Sequence, residues 1–198
     1  MPRTRTIMRA TAMAIGLWLG LATTAMADGR FPTGLDPADQ RRLQAFDDAR
    51  AKAIAEARAK GSSEDVAELD RVLAGDPVPV VPAEIEGIWR CRTIKLGGML
   101  PLVIYSDFRC RITDDSAGLG LTKLSGSQRT GGLFYDISET RLGYAGAGWI
   151  GGDERAYYGR DGADNQVGYL VRVGPDRMRL ELPLPHLESD FDILELRR

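Results

Sequence analysis

Apolar and polar residues change their rhythm twice along this 198-residue chain. Residues 10–25, ATAMAIGLWLGLATTA, form an apolar run behind Arg3, Arg5 and Arg9. From Pro37 to Leu73 the apolar positions recur at helical spacing: Leu43, Phe46, Ala53, Ile54 and Ala57 make one narrow stripe, Val66, Leu69, Val72 and Leu73 a second. Asp36 is placed to cap a helix that begins at Pro37, Gly61 to stop it, and Ser62 or Ser63 to start the next. The pattern predicts a helical hairpin within 28–75. Pro77, Pro79 and Pro82 then enforce an extended linker over 76–85.

From residue 86 the period changes to two. Short β-branched and aromatic runs, broken by Gly, Asp, Asn and Pro, predict strands at 86–96, 102–112, 118–125, 132–137, 141–150, 155–159, 166–173, 177–182 and 190–196. In RMRLEL, Met178, Leu180 and Leu182 share one face; in QVGYLVRV, Val167, Tyr169, Val171 and Val173 do. Matching those faces sets Val173 opposite Met178, with 174–177 as a four-residue hairpin loop and Arg172 opposite Arg179. Nine antiparallel strands with one apolar face each predict a mainly-β domain over 86–198. A closed barrel, which removes exposed edges, is the expected form, with a β-sandwich as the alternative.

Charge and cysteine usage add the compartment. The basic start, the apolar run and Ala25-Met26-Ala27 read as a signal peptide over 1–27, cleaved before Asp28. The mature chain then carries 23 basic and 28 acidic residues, a net charge of −5 that argues against a general nucleic-acid binder. No later run is long or apolar enough to span a membrane as a helix. The expectation is a periplasmic or secreted protein, in which two cysteines form a structural disulfide. With His186 as the single histidine, a zinc site of Cys and His is one ligand short, and no metal or cofactor is expected.

Both cysteines lie in Arg-Cys-Arg triplets, in GIWRCRTIKL and YSDFRCRIT. A hairpin turning at 97–100 that sets Cys91 opposite Cys110 also sets Trp89 opposite Ile112 and Thr93 opposite Phe108, all inward. Arg90 then opposes Arg111 and Arg92 opposes Arg109, outward. Like charges so placed destabilise a sheet. Either they meet an anionic partner, such as head groups, acidic polysaccharide or an acidic protein surface, or Asp107, Glu181 and the acidic helices screen them.

EIEGIWRCRTIKL resembles the opening strand of lipocalin-like barrels, where Gly-x-Trp lies near the strand start. The resemblance implies that Gly87 and Trp89 close one end of the barrel, that Arg197 or Arg198 packs on the Trp, and that a ligand cavity opens at the other end. More broadly, GIWRCRTIKLGG, VIYSDFRCRI, LTKLSGSQRTGGLFY, VGYLVRVG, RMRLELPLP and DILEL are similar to an uncharacterised family of exported bacterial proteins, a domain of unknown function. That similarity implies location and fold more than activity.

Candidate chemistry is sparse. Ser127, Gln128 and Arg129 in KLSGSQRTGG suit an anion or sugar clasp, or a plain hairpin turn; a serine nucleophile would need a base, and no Gly-x-Ser-x-Gly elbow is present. Glu188, Asp190 and Asp192, the last two on one face of the final strand, with Asp153 and Glu154 elsewhere, are candidate acid–base carboxylates or solvated charges. RDGADNQ lacks the ligand spacing of a calcium loop and reads as a hairpin tip. The leading expectation is a non-enzymatic module binding a small apolar, amphipathic or anionic ligand, or an envelope partner. An envelope hydrolase built on Ser127, Arg129 and an acidic residue is one alternative. A solid-cored interaction or inhibitor protein is the other.

Overall fold

Inward-facing side chains from eight strands meet around one axis. The structure, a computed structural model, describes residues 31–198, so the leader expected at 1–27 lies outside the described residues. The strands are β1 (Gly87–Leu96), β2 (Leu102–Ile104), β3 (Phe108–Asp115), β4 (Gly118–Lys123), β5 (Gln128–Ser138), β6 (Arg141–Ile150), β7 (Asn165–Gly174), β8 (Arg177–Pro183) and β9 (Phe191–Arg197). From β3 onward each pairs antiparallel with the next, and β9 pairs with β1 along Arg90–Leu96. The sheet is therefore a closed barrel rather than a sandwich. β2 is an extra strand on the edge of β1 that β3 also uses.

Several expected details move. Residues 155–159 form no strand; that region carries turns and a single 3₁₀ turn at Gly162–Asp164, capped by Asp161. The expected 102–112 strand breaks between β2 and β3. In the β1–β3 pair, Trp89 lies opposite Cys110, Cys91 opposite Phe108 and Gly87 opposite Ile112, two residues from the expected register. The turn and the break after β2 set this together: Gly97 and Gly98 both have left-handed φ, 71° and 79°, and Gly97 N–H donates to Pro101 O, centring the β1–β2 reversal at residue 99, while the break between Ile104 and Phe108 shifts the β3 pairing by one residue. The Cys91–Cys110 disulfide forms across a diagonal, with Cα atoms 5.9 Å apart. Arg90 faces Arg109, while Arg111 faces Ile88 rather than Arg90.

The β7–β8 hairpin departs in the same way. Pro175 and Asp176 make a two-residue turn, Arg172 opposes Met178, and Val173 is an extra bulged residue. Arg179 consequently faces Val171. The bulge absorbs the mismatch between a Pro-led turn and the strand twist, and it turns Leu170 into the barrel core while Val167 and Tyr169 pack outside.

Helices α1 (Pro37–Gln44), α2 (Phe46–Lys60) and α3 (Ser63–Leu73) cover part of the outer face. Asp36 accepts from Ala38 N and Ser62 from Asp65 N, as caps should. The first expected helix is interrupted at Ala45. Small Ala49, Ala53 and Ala57 let α2 sit close to the sheet, and with Phe46, Leu69 and Val72 they bury Ile94, Leu96, Leu102, Phe191 and Ile193. Each such aliphatic side chain taken from water contributes about 1.5–3 kcal/mol.

Charges on the last two strands are buried under the same helices. Glu181 binds Arg50 (2.7 Å) and Arg179 (2.9 Å), and Arg179 donates to the carbonyls of Val72 and Leu73 at the end of α3. Arg92 does not oppose Arg109; it pairs with Glu195 (2.6 Å) and with Glu68 of α3.

One end of the barrel is sealed by the segment expected as a linker. Val78 N–H donates to Arg172 O and Val80 N–H to Glu139 O, after which the short helix α4 (Pro82–Ile85) inserts fully buried Ile85. Trp89 donates its indole N–H to Ile85 O (2.8 Å), and the Arg198 guanidinium lies 3.9 Å from the Trp89 ring centroid. Gly87, at φ 115°, leaves room for Arg198, since a Cβ there would come within 3.1 Å of its Nη2. Arg172 completes the seal by pairing with Glu84 (2.5 Å). Above this plug the Cys91–Cys110 bridge, Ile112, Leu121, Tyr144, Leu170, Met178, Leu180 and Leu196 fill the barrel.

Candidate functional site

The opposite end of the same strands is polar inside. On β1 the inward series Trp89, Cys91, Thr93 is followed by Lys95. On β4, Leu121 is followed by Lys123, and on β9, Leu196 and Leu194 give way to Asp192. Lys95 pairs with Asp192 (3.3 Å) and with Glu188 (3.4 Å), and Ser189 Oγ donates to Asp192 Oδ1 (2.6 Å). Lys123 donates to two neutral oxygens, Gln128 O (2.8 Å) and Thr93 Oγ1 (3.4 Å), and its ammonium sits 4.1 Å from the Phe108 ring centroid. Thr130 shares a hydrogen bond with Tyr144 OH (2.8 Å) and donates to Gln166 Oε1.

Burial dominates the electrostatics here. It pushes the Lys123 amine down to about 8, with Lys95 and Arg129 adding repulsion and Asp192 opposing. It also raises Asp192 above the ordinary carboxylate range, against the attraction of Lys95. Tyr144, fully enclosed, is raised for the same reason.

Above these groups a cavity of about 600 Å³ opens to solvent. Trp149, Ile150 and Leu187 give it an apolar wall; Lys95, Gln128, Gln166 and Asp192 border it from below. A smaller chamber of about 50 Å³, lined by Thr93, Lys123, Thr130 and Leu182 among others, lies beneath and shares Gln128, Arg129, Gln166 and Asp192 with the main cavity. A buried network behind the wall ties the mouth to α1. Asp39 accepts from Arg42 (2.9 Å), Tyr158 OH (2.9 Å) and Asn165 Nδ2 (2.8 Å), and Arg42 Nη1 lies 3.4 Å from His186 Nε2. Tyr158 is pushed up to about 12, chiefly by burial.

The residues singled out from sequence divide among three places. Gly87, Trp89, Cys91 and Cys110 belong to the sealed half. Arg90, Arg109 and Arg111 lie exposed on the outer face, whereas Arg92 is committed to Glu195 and Glu68. Gln128 and Arg129 reach the mouth, Gln128 donating to Glu188 (3.3 Å) and Arg129 to Gly126 O (3.2 Å). Ser127 contributes its backbone carbonyl to Gly151 N (2.6 Å), and His186 faces Arg42 rather than Ser127, so no serine–histidine pair forms. Asp190 and Asp192 do not share a face: Asp190 precedes β9 and meets Lys52 (3.6 Å), while Asp192 points inward to Lys95. Glu154 pairs with Arg160 (3.2 Å) at the rim. Among the described residues, no group of three or more His, Cys, Asp or Glu side chains gathers as a metal site, and no helix is long and apolar enough to cross a membrane.

Lys95, Lys123 and Gln166 escaped the sequence reading. A signal was present: the chain has only four lysines, and two occupy inward positions of strands, in phase with Trp89 and Leu121.

The chain itself belongs to a family of unknown function. Residues 33–196 match the family model described as Domain of unknown function (DUF4893), and the chain is a member of that family. No curated protein matches it. Among solved structures, a redesigned β-barrel is similar, at 10% identity and a TM-score of 0.40, covering 62% of this chain and 98% of that one.

Proposed function

We propose that the protein is an exported, non-enzymatic module that takes a small amphipathic molecule into the open mouth of its barrel. The observation that carries this reading is the cavity of about 600 Å³ with an apolar wall of Trp149, Ile150 and Leu187 over a polar base. Its size and mixed lining fall within the range of small-molecule sites. The filled lower half limits the ligand to the mouth, so one short chain or ring system fits better than a long lipid. Export is supported by the leader-like 1–27 segment and by a disulfide, which persists in oxidising compartments.

Native mass spectra of the protein taken from its own envelope, with calorimetric titration of medium-chain amphiphiles, test the proposal. Bound small-molecule mass, or binding that Leu187→Asp weakens at least tenfold, is the expected result. A bare mass together with no heat from any amphiphile would sink it.

A further inference from the structure

The lower chamber indicates the charge of the ligand. We infer that the molecule taken into the mouth bears one anionic oxygen group, a carboxylate or comparable monoanion, and enters head first to rest on Lys123. This rests on the reading just given and specifies its ligand.

Three observations carry the inference. The first is charge balance. Lys95 spends its charge on Asp192 and Glu188, but the hydrogen bonds of Lys123 go to neutral oxygens, Gln128 O and Thr93 Oγ1. A buried cation with no carboxylate at ion-pair distance is costly until a counter-charge arrives. An ammonium has three donors; two are engaged by oxygens here and the Phe108 ring lies 4.1 Å away, so an incoming oxygen would replace only a π contact. Asp192 lines the same chamber and would repel a second negative charge, so a monoanion fits better than a dianion.

The second is room. The chamber of about 50 Å³ beside Lys123 holds one small group, since a water takes about 30 Å³ of liquid volume. The third is a neutral donor beside it. Gln166 accepts from Thr130 through Oε1, which leaves its amide nitrogen as the donating end. That nitrogen lies over Gly148, where a Cβ would come within 3.0 Å of it. The ligand's apolar part then lies along Trp149, Ile150 and Leu187.

The test is calorimetric titration of the leaderless, disulfide-bonded protein with decanoate, decanol, acetate and inorganic phosphate, repeated with Lys123→Met. The variant's fold is checked by thermal melting. Decanoate is expected to bind at least tenfold more tightly than decanol, and this preference should vanish in a folded Lys123→Met protein that still binds decanol. Equal affinity for decanoate and decanol, or a preference that survives Lys123→Met, overturns the anion seat while leaving an amphiphile site in place. Acetate or phosphate binding as tightly as decanoate, and lost in the variant, keeps the seat and overturns the amphipathic ligand. Silence from all four ligands overturns both.

Discussion

The two ends of the barrel are built from the same strands and the same inward register, yet they are opposites. At the sealed end β1 contributes Trp89 and Cys91, and the polar groups of the plug are held in place: the indole by Ile85 O, Arg198 over the ring, Arg172 by Glu84. At the open end the same strand contributes Thr93 and Lys95, and the interior is charged and open to solvent. A strand can thus change from a packing element to a site-bearing one within four residues, because alternation fixes which side chains point inward but not their polarity. Stability should reside at one end and binding at the other.

The largest effect should follow from breaking the sealed end. Trp89→Ala is expected to cost about 3–5 kcal/mol, read as a lowered urea midpoint with unchanged slope. Trp149→Ala at the open rim should cost about 1 kcal/mol or less. Equal losses would abolish the distinction between the ends. Next comes the bridge: the double variant Cys91→Ala with Cys110→Ala should lose about 3 kcal/mol, the loop-closure value for cysteines 19 residues apart.

A third effect has the opposite sign. Lys123 titrates at about 8 in the folded protein against 10.5 in the unfolded chain. Between those values the unfolded state binds more protons, so stability rises with pH across that window. Below pH 8 both states are charged and the burial penalty is fully felt. Lys123→Met should therefore stabilise the unliganded protein at pH 7 and flatten the rise between pH 8 and 10.5, in urea melts at stepped pH. Lys95 on β1, Arg129 on β5, Asp192 on β9 and Glu188 in the loop before it are the other charges around this amine. A variant less stable at pH 7, with the rise intact, would contradict the assignment.

Sequence made the barrel legible through period-two alternation, and the Arg-Cys-Arg repeat made the bridge legible through compartment and count. The resemblance to lipocalin-like strands pointed to Trp89 and to an arginine near the end of the chain, where Arg198 lies. Registers were not legible, because turns and irregularities set them: Gly97 and Gly98 with the break after β2 moved the β1–β3 pairing by two residues, and Pro175-Asp176 with the Val173 bulge reset the other hairpin. Nor was the fate of outward charges, because alternation cannot say which part of an outer face a helix will cover. Arg179, Glu181 and Glu195 are polar and outward, yet buried and paired, and Arg92 is paired and half-buried. Gln128 and Arg129 at the mouth were legible as a polar loop, but its charged base was missed because Lys95 and Lys123 occupy positions that the pattern assigns to the core.

The pairing of β1 with β9 also dictates an order of assembly. Residues 90–96 acquire their second neighbour only when residues 191–197 are present, and such distant pairing is the slow step in closing a barrel. Until the last strand docks, that edge of β1 waits unpaired, with Ile94 and Leu96 facing outward. Helices α2 and α3 precede β1 and lie against these same side chains. They are in a position to shield the unfinished edge from other chains until its partner strand arrives, a guardian role distinct from their share in the finished core.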